Sequence, residues 1–155
     1  MIVYPALIGV VVKYCQVIAQ MRRRADGFLA GRLDELVKDY VFPLPIDLLS
    51  TRVIARTRLE GRAMLELQRN SMAERGIIAM QPDVTAVDLP RGGRFRVWVD
   101  WHEIAPTPEG ARVSSAVYYC RMDGADLKIE MVDYIRLSTP ELQPQFAALA
   151  TALIA

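Results

Sequence analysis

The apolar positions change period midway along the chain. In the first half they recur every three to four residues, the spacing of one helix face. Leu7, Val11, Tyr14, Ile18 and Met21 draw such a stripe and predict a long, apolar first helix over Ile2 to Met21. Pro5 suits its first turn, where a missing N–H costs nothing. Leu33, Leu36, Val37 and Tyr40 line one side of a second helix in GRLDELVKDYV. The prolines of VFPLPIDLL end it and favour extended chain. A third helix starts at Thr57, where Thr57-Arg58-Leu59-Glu60 fits a capping box. Leu59, Ala63, Leu67 and Ser71 follow one side of it, and Gly76 supplies a stop. The second half alternates with the period of a strand. Strands are predicted over Thr85 to Leu89, Phe95 to Ile104, Arg112 to Met122 and Asp126 to Leu137. Gly92-Gly93 and Asp123-Gly124 offer the positive φ of tight hairpin turns, and Pro106 to Gly110 forms a longer loop. Leu142, Phe146, Leu149 and Leu153 describe a short C-terminal helix beginning near Pro144. No repeat, low-complexity tract or linker divides residues 1–155, which predicts one domain. Helices followed by a sheet with one apolar face make an α+β fold: N-terminal helices packed into a bent antiparallel sheet.

Period two leaves one residue out of place. In LKIEMVDYIRL, one face carries Leu127, Ile129, Met131, Asp133, Ile135 and Leu137. The other carries Lys128, Glu130, Val132, Tyr134 and Arg136. A carboxylate thus shares the face expected to be buried. Desolvation would raise the pKa of Asp133, which suits a general acid or base near neutral pH. The alternatives are the wet end of the sheet, pairing with Arg121 or Arg58, or a slip of one residue that puts Asp133 outside. On the preceding long strand, Phe95, Val97, Val99 and Trp101 form the more apolar face. That leaves Arg96, Trp98, Asp100 and His102 outside, toward water or a second subunit. His102, the single histidine, lies beside Asp100 and Glu103. It is a candidate for a His-carboxylate dyad, or a solvated or interface residue. Tyr40, Phe42, Phe95, Trp101, Tyr118 and Tyr119 either line an apolar ligand site or fill the core. Tyr119 and Tyr134 are the expected hydroxyl donors.

Composition narrows the function. The 155 residues are 52% hydrophobic and 24% charged, which suits a globular domain with a sizeable core. A net charge of +1 gives no basic excess for a phosphate backbone, so no nucleic-acid partner is expected. Arg22-Arg23-Arg24 reads as the wet side or end of a helix. Lys13 interrupts the first apolar run short of the roughly 20 residues that a membrane span needs. No basic leader or A-x-A-like cleavage site marks a secretory signal, so a cytoplasmic protein without a membrane partner is expected. Cys15 and Cys120 read as buried free thiols, with a disulfide between them as the alternative. One histidine and no clustered thiols do not close a zinc site. There is no G-x-S-x-G, phosphate-binding glycine loop or G-x-G-x-x-G, and no cofactor is expected.

Two segments carry a family likeness. FLAGRLDELVKDYVFPLPI resembles the stretch in nuclear transport factor 2-like proteins where a helix with a Leu-Asp, aliphatic, Tyr pattern runs into the first strand. DLKIEMVDYIRLSTPEL resembles their last strand, a turn followed by K-I-x-x-x-x-D-Y and a polar exit. The order of elements agrees over about residues 13 to 140. The resemblance implies a cone, in which a strongly bent sheet wraps long helices and leaves a pocket at its open end. The family includes ketosteroid isomerase, scytalone dehydratase, limonene epoxide hydrolase, SnoaL-like polyketide cyclases and non-catalytic modules, so the fold does not decide the function. The resemblance places Asp133 where enzymes like limonene epoxide hydrolase carry a pocket carboxylate. Their R-x-D pattern is Trp98-Val99-Asp100 here. The arginine is replaced and Arg96 lies one pleat away, so epoxide opening by that scheme does not follow. Two readings remain. In one, a homodimeric protein binds an apolar or aromatic small molecule in a pocket lined by Tyr40, Phe42, Trp101, Tyr119 and Met131. Asp133 then orients the ligand or acts as acid-base in a cofactor-free isomerisation, dehydration or cyclisation, with Asp100 and His102 as secondary candidates. In the other, the chain is a non-catalytic homodimeric association or ligand-sensing module. Trp98 and Tyr134 on the convex face would then meet a second copy, side chains would fill the pocket, and the long apolar first helix would need a cover.

Overall fold

The computed structural model describes the backbone of residues 5–152 and the side chains of residues 14–149. Helix α1 (Pro5–Leu29) and a short α2 (Leu33–Val37) lead into strands β1 (Leu44–Leu48) and β2 (Thr51–Ala55). Helix α3 (Arg58–Glu74) precedes β3 (Ala79–Val87), β4 (Arg94–Ile104), β5 (Arg112–Asp123) and β6 (Asp126–Arg136). A 3-10 turn at Pro140–Leu142 enters the last helix, α4 (Gln143–Ala152). The six strands form one sheet in the order β2-β1-β6-β5-β4-β3, which does not close. The fold is α+β, but the sheet is mixed: β1 runs parallel to β6, and the other neighbours are antiparallel. The β2 strand escaped the sequence reading because its five residues lie between the proline-rich strand and the capping box. β3 starts at Ala79, before Thr85, and tolerates Pro82 because it is an edge strand.

The helices bury different stripes from those predicted. Among the described side chains of α1, Val17, Gln20, Met21, Arg24, Ala25 and Phe28 are buried together with Gly27, while Tyr14 and Cys15 are exposed. Arg22 and Arg23 face water as expected, but Arg24 turns inside. The side chains of Leu7 and Val11 lie outside the described residues, as do Ile2 and Leu153. On α3 the inner face is Glu60, Gly61, Met64 and Leu65, one position round from the predicted stripe, and Leu59 is 68% exposed. The capping box forms: Thr57 Oγ1 accepts from the Glu60 N–H at 3.3 Å. The Glu60 carboxylate reaches one residue further back than the motif requires, to the Arg56 N–H at 2.6 Å. Gly76 ends the helix region at φ +73°. Gly92, Gly93 and Gly124 take positive φ in the two hairpin turns. Met21, Leu44, Leu48, Met64, Val97, Val99, Ala116, Ile129 and Phe146 join helices and sheet in one core.

The alternation along β6 breaks at Glu130 and again at Ile135, where Ala116 pairs with Tyr134 and Ser115 with Arg136; the first break sets the inner face. Ile129 pairs with Cys120 and Met131 with Tyr119, which leaves Glu130 as an extra residue, a β-bulge. Before it, Leu127 and Ile129 face inward; after it, Val132 and Tyr134 do. Met131 and Asp133 are carried outward. The partners of β6 change at the same point. Before the bulge, Gln20 clamps the main chain of Leu127, donating to its carbonyl at 2.9 Å and accepting from its N–H at 3.1 Å. The Ile129 N–H donates to the Asp39 carbonyl at 2.7 Å, and its carbonyl accepts from the Val41 N–H at 2.8 Å. After the bulge, β1 pairs with Val132, Asp133 and Tyr134. Deleting Glu130 would turn Val132 and Tyr134 out of the core or pull the strand out of register. At about 1.5–3 kcal/mol for each apolar side chain lost from burial, the deletion is expected to destabilise by about 3 kcal/mol or more. Urea unfolding measures this, and parent-like stability would refute the assignment of the bulge.

Candidate functional site

A cavity of about 60 Å³ opens between α1, α3, α4 and the inner face of the sheet. Phe28, Leu36, Leu65, Met72, Met80, Leu137 and Phe146 give it apolar walls. Arg24, Tyr40, Gln68, Trp101, Ser114, Tyr118, Tyr134, Ser138 and Thr139 supply polar atoms. A second hollow of about 30 Å³ shares Tyr40, Leu65, Gln68, Tyr134 and Phe146 with it.

Three tyrosine oxygens hold the centre, and each accepts from a nitrogen. Arg24 Nη2 donates to Tyr40 at 2.5 Å. The Trp101 indole N–H donates to Tyr118 at 2.8 Å. Gln68 Nε2 donates to Tyr134 at 3.4 Å. Guanidinium and indole nitrogens can only donate, so Tyr40 and Tyr118 must accept, and their own O–H protons are left for another acceptor. Burial pushes the Tyr134 phenol up to about 12, aided by Tyr40 and opposed by the Gln68 hydrogen bond and Arg24. Burial also lifts Tyr118 well above the ordinary range, with Tyr134 and Tyr40 adding to it. Arg24 is held firmly charged. Burial opposes that charge, but Tyr40, Tyr118 and Asp39 outweigh it. Its Nη1 donates to Asp39 at 2.9 Å and to the Leu36 carbonyl at 3.1 Å.

A second polar group lies at the Ser114–Ser138 end. The Ser138 hydroxyl donates to Glu103, and its N–H donates to Ser114 Oγ at 2.9 Å. Arg112 donates to the Ser138 carbonyl at 2.7 Å. The Glu103 side chain is fully buried and also accepts from Arg75 Nη2 at 2.6 Å. Among the described residues, Arg75 Nε and Nη1 are buried without a protein partner.

The predicted site residues divide. Tyr40 and Trp101 line the cavity. Phe42 does not. Its ring stands edge-on to Tyr40, centroids 6.2 Å apart, against Gly61, where a Cβ would come within 2.8 Å of it. Tyr119 faces outward by the alternation of β5, opposite Arg96, and the bulge in β6 turns Met131 out to face it. Asp133 is outside for the same reason, opposite Asp47, whose carboxylate pairs with Arg52. It is neither the buried carboxylate of the cone nor a partner of Arg121 or Arg58 among the described ion pairs. Asp100 and His102 are on the outer face, as their parity implied, and Ser115 donates to Asp100 at 2.7 Å. Trp98 is outside under the Arg96 guanidinium, 4.8 Å from its centroid. Tyr134 is inside, not on the convex face. Cys120 is buried, which raises its thiol pKa, and both cysteines are free. The sequence reading missed Arg24, Gln68, Ser114, Ser138 and Glu103. Glu103 was within reach of it, since it continues the inward stripe from Phe95 to Trp101. No helix among the described residues is long and apolar enough to cross a membrane.

Substitutions separate the two carboxylates. Asp133→Asn is expected to change stability by no more than about 0.5 kcal/mol, as an outer-face change. Glu103→Ala should cost about 3–5 kcal/mol, because it strands the Arg75 charge. Chemical denaturation of both variants checks the contrast. Alkaline pH tests the tyrosines. Folded Tyr134 holds its proton to about 12 against 10.0 when unfolded, so its contribution is complete below pH 10 and lost as pH rises toward 12. The stability of Tyr134→Phe is expected to fall less steeply across that window than the parent's, by on the order of 2 kcal/mol. Parallel curves would mean that Tyr134 is not buried as a phenol.

No family sequence model matches the chain, and no curated protein matches it in sequence. Solved structures do match in three dimensions. A nuclear transport factor 2-like protein with a cystatin-like fold from Novosphingobium aromaticivorans is 12% identical, with a TM-score of 0.63 over 97% of this chain and 94% of that one. Aln2 from a Streptomyces species is 11% identical, with a TM-score of 0.64 over 88% and 94% of the two chains. ActVI-ORFA from Streptomyces coelicolor is 11% identical, with a TM-score of 0.58 over 79% and 93%. At these identities the likeness speaks for architecture: the chain has the nuclear transport factor 2-like, cystatin-like α+β cone fold.

Proposed function

We propose that the protein binds a small apolar molecule bearing a carbonyl or similar acceptor oxygen inside the cone. The observation that carries this reading is the surplus of hydroxyl donors in an apolar cavity. Tyr40 and Tyr118 accept from groups that can only donate. Ser114 accepts from the Ser138 N–H. Each keeps an O–H proton to give, and burial raises the Tyr118 phenol well above its ordinary range, which keeps its proton in place at neutral pH. A ligand with an acceptor oxygen satisfies them, whereas a ligand with only donors leaves those protons without a partner. The size favours a compact ligand. At about 10–15 Å³ for one water, a 60 Å³ cavity holds on the order of five waters, or one small ring.

Chemistry on such a ligand would use the same donors. Phenol protons aimed at a carbonyl oxygen stabilise negative charge that develops there, as enolisation requires. This supports the isomerisation, dehydration or cyclisation class without calling on a cofactor. The acid-base group is then not Asp133. Two carboxylates are linked to the cavity, Glu103 through the Ser138 hydroxyl and Asp39 through Arg24. The association reading has less behind it, since Tyr134 points inside and Trp98 is covered by Arg96.

A pair of ring compounds tests the donor argument. 2-Cyclohexen-1-one and cyclohexene are titrated into the protein while the Trp101 indole resonance is followed by NMR. The ketone is expected to shift it. Tyr118→Phe should weaken the ketone about five- to tenfold, the value of one hydrogen bond near 1 kcal/mol, and leave cyclohexene unchanged. If both compounds respond equally to the substitution, the acceptor requirement fails. If neither perturbs Trp101, the pocket reading fails.

A further inference from the structure

We propose that Asp83, Asp100 and His102 form a binding site for a zinc-class divalent cation on the convex face of the sheet, separate from the cavity. Their ligand atoms, one imidazole nitrogen and two carboxylate oxygens, lie within 4.8 Å of one another. Two neighbouring strands present them. Asp83 on β3 stands directly opposite Asp100 on β4, and His102 follows two residues along the same face. Asp83 lies 17 residues from Asp100 in the chain and shows no ligand spacing with it; only the strand register brings the two together.

The electrostatics of the outer face favour a cation at this point. Elsewhere on this face carboxylates meet arginines: Asp47 pairs with Arg52 at 2.6 Å, Asp88 with Arg96 at 2.7 Å and Glu130 with Arg94 at 2.9 Å. At Asp83 and Asp100 carboxylate faces carboxylate, and neither forms an ion pair among the described residues. Like charges directly opposite on adjacent strands destabilise a sheet. A dication between them reverses the sign. The outer shell is already in place, since Ser115 donates to Asp100 Oδ1 at 2.7 Å and leaves Oδ2 free to ligate. One imidazole and two carboxylates suit a borderline ion such as zinc, with water in the fourth position. In a tetrahedral site, ligand atoms at about 2.0–2.2 Å from the ion sit about 3.3–3.6 Å apart, so closure from within 4.8 Å takes at most about 1.5 Å. The exposed Asp83 side chain can supply that by rotation.

The test uses the full chain stripped with a chelator and titrated with zinc chloride by calorimetry. A Cys15→Ser background removes the exposed thiol as a competing ligand. One zinc per chain is expected, with Kd on the order of 10 µM. His102→Ala and Asp83→Asn should each weaken it at least tenfold while the circular dichroism spectrum stays parent-like. In chelator, Asp83→Asn should melt above the parent, and zinc should no longer raise its Tm. Zinc uptake unchanged by both substitutions, or none at about 1 mM zinc, overturns the site and leaves these residues as solvated surface groups.

Discussion

One extra residue in β6 determines what the inside of this cone is made of. β6 sits between β1 and β5. A strict period of two along it would bury Met131 and Asp133 and expose Val132 and Tyr134. The bulge at Glu130 exchanges the two sets. The surrounding contacts hold the exchange in place. Gln20 and the Asp39–Val41 chain bind the main chain on one side of the bulge, and β1 binds it on the other. Neither set can shift by one residue without losing its hydrogen bonds, and a lost buried main-chain bond costs more than most side-chain contacts.

That exchange is also why the site was only partly legible in sequence. Element types were readable because long amphipathic stretches and glycine turns act locally. The face of β4 was readable too, since no bulge interrupts its pairing with β5 and the Phe95-to-Trp101 alternation continues unbroken. Asp133 was misplaced because a bulge has no residue signature as strong as a proline or a glycine pair. Arg24 was misplaced because an arginine run reads as solvent-facing to its end. It is buried because Asp39, Tyr40 and the Leu36 carbonyl, from the segment just after α1, saturate its charge. The β1–β6 parallel pairing was out of reach for a related reason. It joins segments far apart in the chain, and the local pattern of VFPLPIDLL specifies only that it is extended.

What separates a ligand pocket from a well-filled core is the state of its polar groups. Arg24 and Glu103 are buried charges, and both have opposite charges and hydrogen-bond partners within the fold. Such groups tie the structure together: Arg24 joins α1 to the Asp39–Tyr40 turn, and Glu103 joins β4 to the end of α3 and to Ser138. The phenols of Tyr40 and Tyr118 and the hydroxyl of Ser114 are different. Each accepts at its oxygen from a nitrogen donor, which leaves the O–H proton to be turned toward a second acceptor. A core that only needed filling would place phenylalanine there, with no polar group to bury. Hydroxyls held through their oxygens yet left with protons to give are the groups that the proposed acceptor-bearing ligand would engage, and they are what a core built only for filling would lack.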